Sequence, residues 1–215
     1  MIVITILAVL VVGYIVIDKM GILAGLKLPT GNEWYFSLLW LVLPITVFVL
    51  SFVVRDRQMS VACGGLLASA LVEFGYQIHL IPNYMLYASL ILMFLTCLWM
   101  LWLSFGIEIQ GKYLKYVGVL PLIAGIACLA FFPVTGFFDV LTAIFAAIVA
   151  LSAAFLYFSG KGGVLAFSAF LLMVFPVAGQ GSPWLSWLSP VIMVAGYFLI
   201  GYHLSLRRHE GVDRL

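Results

Sequence analysis

Glu73 is an acid in the middle of an apolar stretch, and it shares one helix face with Ser69, Tyr76 and Gln77 through i, i+4, i+7, i+8 spacing. A carboxyl group with a hydroxyl, a phenol and an amide beside it can donate a proton, bind a polar headgroup or carry a proton. A charged carboxylate at the centre of a membrane helix costs on the order of 3 kcal/mol, so the acid must meet a partner, a cavity or a proton. The neutral form is the cheaper one in that setting, and a neutral acid is a proton donor. The functional reading is a polar pocket lined by this helix. The alternative is packing alone, with the acid hydrogen-bonded to a neighbouring helix and with Ala62 and Gly65 letting that helix come close.

The remaining polar candidates are weaker. His79 follows Glu73 by six residues, about 240° around a helix, so it leaves that face and fits a structural role. Asp139 opens another apolar run, where the helix dipole favours an acid; it is the second candidate for acid–base work. Glu33 precedes Trp34 in the same way, while His203 and His209 adjoin a basic tail and read as solvated or headgroup-facing. Cys63, Cys97 and Cys128 have unrelated spacings and read as small packing residues. The chain has no Gly-rich phosphate loop, His-Glu-x-x-His, Cys pair or Gly-x-Ser-x-Gly. The expected site therefore uses neither a metal nor a cofactor.

The elements that must position these groups follow from composition. Of 215 residues, 66% are hydrophobic and 8% charged, which a water-soluble domain could not cover with polar groups. About 20 apolar residues cross a hydrocarbon core of about 30 Å. Breaks at charges, Pro and Gly predict an all-α bundle of eight transmembrane spans near 2–17, 34–54, 59–80, 84–105, 114–132, 137–158, 163–178 and 185–205. The first and seventh are short, which makes seven the fallback count. Joins are tight, no stretch suffices for a soluble domain, and residues 1–215 read as a single integral-membrane domain. Pro44, Pro121, Pro176 and Pro190 fall in or at the ends of spans, where helix kinks are tolerated.

Cations give the orientation. Arg55, Arg57, Lys112, Lys115, Lys161, Arg207, Arg208 and Arg214 follow even-numbered spans, against only Lys19 and Lys27 after odd-numbered ones. The positive-inside rule then places both termini in the cytoplasm and supports the even count. Trp34, Tyr35, Tyr84, Tyr87, Trp184 and Trp187 form an outer aromatic belt, with Trp99, Trp102 and Tyr157 toward the inner one. The first span lacks a basic leader and a small-x-small cleavage site, so it reads as an uncleaved helix. Topology explains the net charge of +2, so the expected partner is membrane lipid and not nucleic acid. Short loops and compact layout fit a bacterial inner membrane.

The order of elements resembles the YhhN-like family of lysoplasmalogenases, eight-helix membrane proteins with cytoplasmic termini. The likeness lies in Gly65-Leu66-Leu67-Ala68-Ser69-Ala70-Leu71-Val72-Glu73, followed by Leu86-Tyr87-Ala88. Family members have Gly-Leu-x-x-Ser-Leu-x-Gly-Asp there, so Glu73 takes the place of the family's aspartate. Pro44-Ile45-Thr46 resembles the family's Lys-Pro-Leu-Thr, and Tyr197-Phe198-Leu199-Ile200 is similar to its last helix. Leu43 stands where the family has lysine, Val72 where it has glycine, Thr96 near its histidine, and Phe175-Pro176 near its Ser-Asp.

The resemblance implies hydrolysis of the vinyl ether bond of a lysoplasmalogen, releasing a fatty aldehyde. Glu73 would be the acid; Tyr76, Gln77 or Asp139 would position water, and Ser69 and Thr46 would line the lipid site. Lacking the lysine and the second aspartate, the chain could also bind a lipid without cleaving it. Two other classes stand beside this one. A small proton-coupled transporter would use Glu73 as its protonatable site, and an internal repeat, the usual mark of that class, is not evident. In a structural or accessory subunit, Glu73 and the small residues would only pack.

Overall fold

The computed structural model describes residues 34–106, 123, 136–180 and 183–212, and every regular element among them is a helix. In chain order these are α1 (Trp34–Val53), α2 (Arg57–Gln77), α3 (Met85–Ser104), α4 (Phe137–Phe158), α5 (Gly163–Gln180) and α6 (Pro183–Val212). They divide into two compact units. One comprises α1, α2, α3 as far as Met93, and α6 from Gly201; the other runs Phe94–Ile200.

Three helices end in the same way, which explains how joins of three, seven and four residues suffice. After α1, Arg55 N–H donates to Phe52 O and Asp56 N–H to Ser51 O, with Arg55 in the left-handed region at φ 60°. This is a Schellman ending. Asp56 then serves the next helix, its carboxylate accepting from Met59 N–H at 3.0 Å as the N-cap of α2. His79 repeats the ending after α2 at φ 58°, donating to Tyr76 O while Leu80 N–H reaches Gly75 O. Gly160 does so after α4 at φ 76°, donating to Tyr157 O while Lys161 N–H reaches Leu156 O.

The buried set is mainly apolar, with Phe170, Leu43 and Ile200 among its largest members, but it also holds small hydroxyls while many large apolar side chains lie outside. Ser51, Ser69, Ser89, Thr96, Ser104, Thr142 and Ser168 are buried, whereas Val61, Leu71, Leu95, Ile144, Leu151 and Phe155 are exposed. Small polar residues between helices and large apolar ones outside are what lipid selects, because lipid gives no drive to bury Leu or Phe. Arg57–Gln77, Met85–Ser104 and Phe137–Phe158 are long and apolar enough to cross a membrane, and Leu41–Val53, Gly163–Val174 and Val191–Arg207 are shorter apolar helices. Among the described residues the architecture is all-helical and compatible with an integral membrane protein.

Within each unit, close helix contacts form where side chains are small. α1 packs on α2, and a Cβ at Gly64 would stand 3.3 Å from the Phe48 ring. α4 packs on α5, and Phe94 of α3 stacks on Phe145 of α4 with ring centroids 4.1 Å apart. α5 meets α6 where Ser168 Oγ donates to Gly196 O at 2.7 Å. A Cβ at Gly196 would lie 2.9 Å from Leu172 Cγ, a branch point that cannot swing aside. Gly196→Ala is therefore expected to cost about 1–3 kcal/mol through overpacking, readable as a lower melting temperature in detergent.

The structure refines several sequence-based expectations. The span expected at 59–80 ends at Gln77 because His79 takes the left-handed turn. The last helix runs on to Val212, so His203 lies inside it. It is buried beside Ile200 and Leu204 in sequence register, not solvated as its nearness to the basic tail had implied. Tyr157 is likewise buried and is no belt residue, while Trp99, Trp102 and Tyr84 are exposed as a belt requires. Cys63 and Cys97 are fully buried free thiols that pack as small apolar groups. The spans at 2–17 and 114–132 lie outside the described residues (Ile123 excepted, which is helical), as do Lys19, Lys27, Glu33, Lys112, Lys115, Pro121, Cys128 and Arg214. Side chains of Trp34, Tyr35, Trp184, Trp187, Pro190, Arg208 and His209 also fall outside the description.

Candidate functional site

A polar cluster joins α2 to α3 at Ser69, Ser89 and Glu73. The two hydroxyls are 2.8 Å apart; Ser69 Oγ also lies 3.1 Å from Ser89 O, and Ser89 Oγ 3.2 Å from Ser69 O. Ser89 Oγ is in addition 3.2 Å from Glu73 Oε1. Each hydroxyl carries one hydrogen. A consistent assignment sends the Ser69 hydrogen to Ser89 and the Ser89 hydrogen to the Glu73 carboxyl, a chain whose members polarise one another. Both serines are at most 2% exposed, so water does not compete for these bonds.

Glu73 itself is exposed. It lies four residues before the last residue of α2, about 6 Å by helical rise. The sequence pattern anticipated a shared face, and burial along that face is graded: Ser69 is buried, Tyr76 half-buried, Glu73 and Gln77 exposed. The result is a carboxyl group at the protein surface, tethered at one oxygen to a buried base. A carboxyl this close to a helix end can reach the interface, which lowers the cost of keeping it.

The other candidates are placed elsewhere. Thr46 is half-buried on α1, and its Oγ1 donates to Val42 O at 2.6 Å, so the hydroxyl is spent on its own helix next to Pro44. Asp139 lies in the first turn of α4 behind Gly136, where the dipole favours an acid, and it belongs to the unit that does not contain Glu73. Ser89 was missed by the sequence reading. The available signal was positional: α2 and α3 are joined by only seven residues, and Ser69 and Ser89 lie ten residues to either side of His79.

His79 occupies a backbone conformation that costs an L-residue about 1–2 kcal/mol. His79→Gly is expected to hold stability level or raise it by up to about 1 kcal/mol. A thermal melt that drops would show that the imidazole does more than occupy the turn.

Among the described residues no group of three or more His, Cys, Asp or Glu could hold a metal ion. The groups gathered at this site are a carboxyl and two hydroxyls, with a phenol and an amide following on the same face. Compared with known proteins, the chain matches no family model, no curated protein and no solved structure.

Proposed function

We propose that the chain is an eight-span integral membrane protein, cytoplasmic at both ends and at home in a bacterial inner membrane, that presents Glu73 to a single-chain ether lipid. The reaction it fits best is hydrolysis of a lysoplasmalogen vinyl ether. One observation carries this reading: an exposed carboxyl near the end of an apolar helix, with Oε1 held by a buried serine pair. Such a group is oriented toward the lipid phase and ready to donate a proton. The residue pattern shared with YhhN-like proteins around Gly65 to Glu73 supports the same substrate class.

The steps balance with water as the only co-reactant. The neutral Glu73 acid protonates the alkene carbon distal to the ether oxygen, leaving an oxocarbenium ion and a carboxylate. Water adds to the cation and gives its proton to Glu73, forming a hemiacetal. Its collapse moves a proton to the departing glycerol oxygen and releases a fatty aldehyde and the glycerophospho-base. Tyr76 and Gln77, on the same face, are the groups to position the water. Purified protein incubated with lysoplasmalogen is expected to release aldehyde and glycerophospho-base in equal amounts; release of neither would remove the hydrolase reading.

A second reading has its own observation: the Ser69–Ser89 bonds are reciprocal between two helices, as in interhelical packing. In that reading Glu73 is a third member of a staple in an accessory subunit. The protein then releases no aldehyde, and Glu73→Ala lowers the melting temperature as Ser69→Ala does.

A further inference from the structure

We infer that a groove at the Lys161 end of α3 and α4 seats one acyl chain of an anionic phospholipid, whose phosphate pairs with Lys161. The groove has a volume of about 450 Å³, within the range of small-molecule sites. Its floor is Leu101 and Leu156, both nearly fully buried, and its walls include Trp102 and Phe155, both mostly exposed. Along α3 it extends from Leu98 to Phe105, about 10 Å by helical rise. That is within one leaflet, about half of a 30 Å core. A partner helix crossing the bilayer would call for a seat along the whole length, so the groove's extent favours a lipid chain.

Charge supplies the second argument. Lys161 is the only Lys or Arg among the described residues of Phe94–Ile200. Its Nζ stands 4.6 Å from the centroid of the Phe105 ring, and Phe105 lines the groove. The ring holds the ammonium at the mouth, and the N–H donors that face away from it stay available to an anion. The Schellman ending at Gly160 fixes the backbone there, so the cation is not on a loose loop. A lipid phosphate at Lys161 thus enters with its chain aligned to the groove. This inference rests on the membrane reading but is independent of any chemistry at Glu73.

The test uses the full chain in phosphatidylcholine nanodiscs doped with doxyl-labelled lipid. The signal is quenching of Trp102, taken as the difference between wild type and Trp102→Phe. Doxyl-phosphatidylglycerol is expected to quench at a mole fraction roughly five-fold lower than doxyl-phosphatidylcholine, the preference one lysine near the surface provides. Lys161→Gln should equalise the two lipids while keeping the quenching. Ser152→Phe, which fills the groove, should weaken quenching by both. Equal quenching by the two lipids in wild type, or a preference that survives Lys161→Gln, would overturn the inference. So would a Trp102 that neither lipid reaches, the result expected if a protein covers the groove.

Discussion

Glu73→Gln will reduce aldehyde release from lysoplasmalogen by at least about 100-fold, the usual contribution of a positioned general acid, while leaving the melting temperature essentially unchanged. The two effects separate because of what the substitution keeps. A glutamine carbonyl still accepts from Ser89 Oγ, which lies 3.2 Å from Oε1, and the side chain is exposed, so no packing is lost. Only the acidic proton goes. Glu73→Asp keeps the proton but withdraws it by one methylene from Ser89, so it should recover part of the rate. An inactive variant that also unfolds would place Glu73 in the packing of α2 on α3 instead.

The largest stability effect is expected at Ser89. Ser89→Val removes the hydroxyl that bonds both Ser69 and Glu73 and adds a methyl group where the residue is 2% exposed. Overpacking costs about 1–3 kcal/mol, and losing the hydroxyl–hydroxyl bond costs about 1 kcal/mol more, Ser69 keeping the Ser89 carbonyl at 3.1 Å as its acceptor. A total near 2–4 kcal/mol will show as a clear fall in melting temperature, along with loss of lipid turnover as Glu73 loses its anchor. Ser89→Ala leaves room for Ser69 to turn to its own helix, so its cost should be near 1 kcal/mol. A double-mutant cycle of Ser69→Ala with Ser89→Ala will then show coupling of the same sign and size, since each serine binds the other.

How much of this was legible in the residues differs by feature. The helix 137–158 was readable to the residue, because Gly136 and Ser159-Gly160 bracket an unbroken apolar run. The face carrying Ser69, Glu73, Tyr76 and Gln77 was readable from helical spacing alone. The end of α2 was not, because a histidine takes the left-handed turn where glycine is the usual signal. Ser89 was hidden for a different reason: its importance depends on pairing two helices about a turn, which no single-helix pattern reports. His203 misled because charge beyond it implied the end of a helix, whereas α6 continues through that charge. The outward position of Glu73 could not be read either, since a face pattern says which residues align and not which way they face.

On the proposed function, the Glu73 carboxyl faces lipid and is the group that meets a single-chain ether lipid. The direct measurement is labelling of the membrane-embedded protein with a hydrophobic carbodiimide, with and without lysoplasmalogen, followed by peptide mass spectrometry. Glu73 is expected to be labelled, and the ether lipid to protect it. A Glu73 that is never labelled, or one labelled equally whether or not the lipid is present, would contradict it.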